Sequence, residues 1–233
     1  SLNRNAVRAV GLPRFDGLYK KEQFIFDEEV RKKVKGRKVV LWKLHFPKEI
    51  IEHGQVYAVT PPLEEYINFA KHLRDYSNLF FIFMPHPRFQ SQKIESKTKK
   101  KIKALFDIVE SMENVFVDLR DDYRESLVNA DFIMVDRSAV MVEAGAMGVP
   151  ILFLYNKAYD EPITEAIKPL VDSYYHGNSS QDMIAFLDMC ISGEDMKKND
   201  RKNAFEECIP FFDGKCGKRI KEDIIFDLEN SVL

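Results

Sequence analysis

The chain has 233 residues, of which 45% are hydrophobic, 12% aromatic and 31% charged; this is enough for one large domain or two small ones and excludes a disordered chain. With 35 Lys and Arg against 37 Asp and Glu, the net charge of −2 lacks the basic excess of a dedicated nucleic-acid binder. The longest nearly uncharged stretch, Ser138 to Asn156, is broken by Glu143 and carries Gly145, Gly148 and Pro150. It therefore predicts helix, turn and buried strand rather than a membrane span. No signal-peptide pattern is legible. Cys190, Cys208 and Cys216 form no CxxC pair and are expected as free thiols of a reducing compartment.

The opening twenty residues begin at Ser1 and read as a strand-like Ala6–Gly11 followed by an extended Leu12–Pro13 turn, as expected of a piece cut from a longer chain. Phe26 to Lys35 predicts a charged helix, and Lys38 to Leu44 a strand. A loop is expected from His45 to Thr60. Pro61 and Pro62 then open a helix, with Leu63, Ile67, Ala70 and Leu73 at helical spacing. Leu79 to Met84 is an apolar run of strand length, stopped by Pro85-His86-Pro87. Lys93 to Met112 predicts a long basic helix, whose run Lys97–Lys103 reads as a solvated face, with a patch for an anionic membrane as the alternative. Val115–Val117, Phe132–Val135 and Val149–Leu154 predict strands; Tyr123–Asn129 and Ser138–Met147 predict helices. Helices are also expected near Ser179–Ile191, Asp195–Cys208 and Lys215–Glu229. Alternating helices and doubly apolar strands specify an α/β fold with a parallel sheet.

In such sheets, ligands bind beyond the carboxyl ends of the strands. The residues there are His45, His86, Asp118 to Arg120, and Asp136-Arg137-Ser138, a plausible rim for an anion. Ser138 sits where a helix N-cap belongs, and the first turn of a helix offers unpaired N–H groups to phosphate. Glu143 is the sole charge between Arg137 and Lys157. Five residues into the helix at 1.5 Å rise each, it lies roughly 7 Å from the cap, a phosphate-to-ribose distance. A structural carboxylate paired with a nearby Arg or Lys fits the spacing equally. Pro85 and Pro87 hold the backbone around His86, which suits proton transfer or phosphate contact; a loop histidine without a role has the same signature. His53, His72 and His176 read as surface residues.

Taken in order, Gly11-Leu12-Pro13-Arg14-Phe15-Asp16, Pro85-His86-Pro87, the acidic stretch Asp118–Tyr123, Asp136-Arg137-Ser138-Ala139-Val140 with Gly148-Val149-Pro150-Ile151, and Phe212-Asp213-Gly214-Lys215 resemble the CDP-glycerol:poly(glycerophosphate) glycerophosphotransferases, the teichoic acid primases and polymerases. The resemblance runs from about Val10 to Ile224. Ala139 stands where the family has a second serine, Arg137 replaces an aromatic residue, and Trp42 to Phe46 departs from the family's threonine–tryptophan–arginine.

The resemblance implies a Rossmann-like sheet with helices on both faces, the C-terminal half of a GT-B fold. Residues 1–20 would be the inter-domain hinge, and residues 21–233 a single donor-binding domain with a helical C-terminal tail. Ser138, Ala139 and their backbone N–H groups would hold the donor diphosphate, with Arg14, His45, Arg88 and Arg137 on the phosphate rim. Glu143 would take the ribose, Asp118, Leu119 and Arg120 would face the base, and His86 would be catalytic or contact phosphate. The implied donor is CDP-activated, as a substrate; neither a cofactor nor a protein-bound metal is expected. The acceptor would be a polymer met by a preceding domain, in a cytoplasmic protein whose full-length form touches the inner face of the membrane. Capsule polysaccharide glycosyltransferases, nucleotide-sugar 2-epimerase-like isomerases and a non-catalytic nucleotide-binding scaffold are the rival readings.

Overall fold

The computed structural model describes residues 7–46, 49–52, 55–90, 95–158 and 162–230. Its centre is a six-stranded sheet, ordered β5-β4-β1-β6-β7-β8 and parallel throughout. The strands are β1 (Lys38–Leu44), β4 (Leu79–Pro85), β5 (Val115–Val117), β6 (Phe132–Val135), β7 (Ile151–Leu154) and β8 (Tyr175–Gly177). A separate antiparallel pair, β2 (Glu49–Glu52) and β3 (Gln55–Ala58), occupies part of the expected loop between His45 and Thr60. Each holds polar residues within its four, so neither shows the continuous apolar run that marks a buried strand in sequence.

Successive side chains along a strand point to opposite faces, and here both faces are buried. Val40, Trp42, Leu44, Phe81, Phe83, Met134, Leu152 and Leu154 face α3 (Leu63–His72), α4 (Ser96–Glu110) and α8 (Ser180–Ser192). Val39, Leu41, Phe80, Ile82, Ile133, Val135, Ile151 and Phe153 face the other layer. That layer contains α1 (Pro13–Tyr19), α2 (Glu28–Val34), α5 (Arg124–Val128), α6 (Val140–Ala144), α7 (Lys168–Asp172) and α9 (Lys198–Cys208). The unbroken apolar runs of the sequence follow from this double covering.

Local chemistry sets the element ends. Asp27 accepts a hydrogen bond from the Val30 N–H at 2.8 Å and caps α2. Ser179 and Asp182 form a reciprocal capping box at the start of α8. Gly148, at φ +76°, ends the 3₁₀ turn after α6 in a left-handed conformation that glycine adopts without strain.

Several expectations are corrected. Residues 7–11 form no strand, and Ala6 lies outside the described residues. The expected extended turn at Leu12–Pro13 is the start of α1, with Pro13 in its first turn. The helix expected over Ser138–Met147 is a short α6 capped at Ala139, followed by a 3₁₀ turn over Gly145–Met147. Its Ser138 side chain makes no capping bond, and the residue's own N–H donates to the Asp136 carbonyl at 2.7 Å. Helix α7 and strand β8 add a unit that the sequence reading lacks. His53 and the start of the predicted helix at Lys93 fall outside the described residues.

Residues 8–16 run beside the last helix, α10 (Cys216–Asn230). Arg8 pairs with Asp227 and Asp223 at 2.6 and 3.4 Å, and Asp16 accepts from the N–H groups of Cys216 and Gly217. Apart from Cys216, α10 is not buried, and Ile224, Ile225, Phe226 and Leu228 are exposed. No helix among the described residues is long and apolar enough to cross a membrane.

Candidate functional site at the strand-order reversal

Strand order reverses at β1, which lies between β4 and β6; open α/β sheets bind ligands in the crevice such a reversal leaves at the carboxyl ends. Beyond β1, β4 and β6 here stand His45, His86 and Asp136. Asp136 has no exposure. Both its carboxylate oxygens lie 2.8 Å from the His45 backbone N–H, which donates to them, and the Tyr66 hydroxyl donates to Oδ2 at 3.3 Å. Burial pushes the Asp136 carboxyl up to about 7 against the opposing pull of the His45 N–H, the Lys43 ammonium and Tyr66. Lys43, 8% exposed, is lowered by the same desolvation and held partly up by Asp136 and Asp118.

The His45 ring packs on Phe46 and His86 at centroid distances of 4.4 and 5.0 Å. Phe46 meets His86 at 5.1 Å, and the Arg88 guanidinium lies over the Phe46 ring, 4.8 Å from its centroid. The His86 Nδ1 accepts from the Arg88 N–H at 3.1 Å, so the neutral ring carries its proton on Nε2. Burial, then the neighbouring His45, Lys43 and Arg88, lower its pKa to about 4. At neutral pH His86 is therefore an uncharged Nε2–H donor.

The other sequence-predicted residues are less alike in their surroundings. Ser138 is 6% exposed and its hydroxyl has no hydrogen-bond partner among the described residues. Ala139 is exposed beside it. Arg137 lies over the Phe153 ring at 5.8 Å. Phe153 is also a wall of a cavity of about 360 Å³ beyond β7 and β8, lined besides by Tyr155, Ile163, Lys168 and His176.

Glu143 has 0% exposure, and Arg14 Nη1 stands 3.0 Å from its Oε1. Burial raises the Glu143 pKa; Tyr123 and Arg14 pull it down. The Tyr123 hydroxyl lies beside the carboxylate, yet neither oxygen is reached by a well-directed hydrogen bond. A ribose would have to displace Arg14 to meet this group. Asp118 is buried and fully engaged: Arg120 donates to both its oxygens at 2.8 and 2.9 Å and Ser126 donates at 2.5 Å. These bonds hold its pKa below the usual range against desolvation. The Asp118 and Arg120 side chains thus clamp the loop after β5, leaving Leu119 exposed.

The structure brings His45, His86 and Arg88 together and sets Ser138 after the neighbouring strand. It places Arg14 and Glu143 on each other. Phe46, Tyr66 and the tethering role of Asp136 are absent from the sequence reading. Tyr66 and Asp136 are 70 residues apart, and no spacing rule joins them. Among the described residues, no three His, Cys, Asp or Glu side chains are grouped to hold a metal ion.

No protein-family model matches the sequence, and no curated protein matches it. Solved structures do. A variant of the wall teichoic acid polymerase TagF is similar with a TM-score of 0.64 at 16% identity, over 99% of this chain and 54% of that one. The S. aureus MnaA–UDP structure gives 0.63 at 17%, over 97% and 56%. The UDP-GlcNAc 2-epimerase from Neisseria meningitidis, bound to UDP-GlcNAc, gives 0.57 at 17%, over 96% and 56%. The chain spans about half the length of these proteins. At such identities the likeness is one of fold: a six-stranded, Rossmann-like α/β domain of the GT-B type.

Proposed function

We propose that the chain is the donor-binding half of a transferase that moves glycerol phosphate, or a related group, from a CDP-activated donor to a polymer acceptor. The observation that carries this reading is the crevice at the β1–β6 reversal, where the His86 Nε2–H and the Arg88 guanidinium stand beyond one end of the sheet. Both can donate to phosphate oxygens, and Arg88 brings positive charge. The family resemblance supplies the cytidine, and one similar TagF structure was soaked with CDPG.

In the reaction, an acceptor hydroxyl attacks the phosphorus carrying glycerol. A new P–O bond forms as the bond to CMP breaks, and the hydroxyl proton leaves to base. The work of this half is to orient the diphosphate and offset the charge gathering on the departing CMP. His86 in its Nε2–H form stabilises that charge by donation.

Calorimetry with CDP and UDP tests the reading, and tighter binding of CDP is expected. Equal affinity or a preference for UDP would favour the second reading, an epimerase-like protein acting on a UDP sugar, which the similarity to structures holding UDP and UDP-GlcNAc supports.

A further inference from the structure

The β1–β6 ladder stops just short of the crevice. Its last pair is Lys43 with Val135, and the next N–H needing an acceptor is that of His45. Asp136 meets it with a side chain, straddling the single N–H with two oxygens at equal distance. A carboxylate present only to neutralise Lys43 would have no need to sit astride a backbone N–H. The residue so held begins the cluster His45–Phe46–His86–Arg88, in which each ring covers the next.

We propose that Asp136 is the positioning residue of the crevice: by holding the His45 backbone it keeps the His45 and Phe46 rings against His86 and so fixes the direction in which His86 presents its Nε2–H. Four groups face the carboxyl: the Lys43 ammonium from β1, the His45 N–H beyond it, the Tyr66 hydroxyl from α3 and the residue's own N–H. The proposal rests on the donor-binding reading only for what that N–H is presented to.

The test uses NMR on the wild-type chain, Asp136→Asn, which keeps shape and acceptor, and Asp136→Ala, which keeps neither. In Asp136→Ala, exchange of the His45 amide should accelerate about tenfold or more relative to the β1 amide of Leu41, and the His86 ring should titrate well above its wild-type midpoint of about 4 as it loses its cover. Asp136→Asn should keep both wild-type values. An unchanged His86 midpoint in Asp136→Ala overturns the proposal, as does an unaccelerated His45 amide. Should that variant fail to fold, the wild type and Asp136→Asn decide. In both, the His45 amide should exchange as slowly as that of Leu41 and the His86 ring should show nuclear Overhauser contacts with the His45 and Phe46 rings; an unprotected His45 amide or the lack of those contacts overturns the proposal. CDP calorimetry on the same samples separates the two claims: these histidine results in a chain that binds no CDP uphold the tether and sink the donor reading.

Discussion

Arg14 keeps 52% of its side-chain exposure while its partner Glu143 keeps none. A buried carboxylate bears a desolvation penalty that one half-solvated guanidinium offsets only in part. Glu143→Gln keeps the shape and removes the charge, so its Tm should hold or rise. Under the donor reading the same change should weaken CDP binding by about 1.5–3 kcal/mol, roughly tenfold to a hundredfold. Calorimetry and a melting curve on one sample check both, and a fall in Tm with unchanged affinity would leave the carboxylate to Arg14 alone. His86 and Asp136 give a second prediction at this scale. The His86 pKa is lower in the folded chain than its ordinary 6.5, so its contribution to stability is complete above about 6.5 and is lost as pH falls towards about 4. Asp136 is raised from 3.8 to about 7, so its contribution is complete below about 3.8 and is lost as pH rises through 7. Between about 4 and 6.5 the two slopes oppose each other. Asp136→Asn removes one of them, and its Tm should therefore climb with pH across that window more steeply than the wild type's.

Among the elements, the apolar strands were the legible part. Lys38–Leu44, Val115–Val117 and Phe132–Val135 have the bounds the sequence suggests, because strands covered on both faces are apolar at most positions. Strand β8 carries no such signal: of its three residues one is a histidine and one a glycine. The candidate site was half legible. Strand-end histidines and arginines can be found by counting along the chain. The pairing of Arg14 with Glu143 and of Tyr66 with Asp136 depends on how distant helices pack, which no local pattern records. Strand β8 is fixed from outside by α9. Arg201, 1% exposed on that helix, donates to Asp195 at 2.5 Å, and Asp195 accepts from the Tyr175 hydroxyl at 3.1 Å. Asp195→Ala leaves the guanidinium buried without its counter-charge and should cost about 3–5 kcal/mol in denaturant unfolding. Ser179→Ala, which removes only a cap from α8, should cost about 0.5–2 kcal/mol. Equal losses would mean that the ion pair does no more than a cap.

For the whole molecule, the matched structures are nearly twice as long as the chain. Under the proposed function the acceptor side of the reaction belongs to another domain. The 233-residue chain should then bind CDP but show no transfer when assayed beside the full-length enzyme with CDP-glycerol and a primed acceptor. Full-length turnover by this chain alone would sink the GT-B division of labour.

The reversal of strand order at β1 also sets an order of events in time. Strands β1, β4 and β5 are consecutive neighbours on one side of the sheet and lie within residues 38–117. The other side begins only with Phe132, which must return across the chain to reach Val40. Contacts between sequence-distant strands form slowly, because the entropy of closing the loop is lost before the contact repays it. During synthesis, then, the first half-sheet can assemble while the crevice does not yet exist, since one of its two walls has not emerged. Capture of the His45 N–H by Asp136 should then follow the pairing of β1 with β4. In a refolding experiment read by pulsed hydrogen exchange, protection of the His45 amide should appear after that of Phe81 and Phe83 on β4, and the competence to bind ligand should arrive with it.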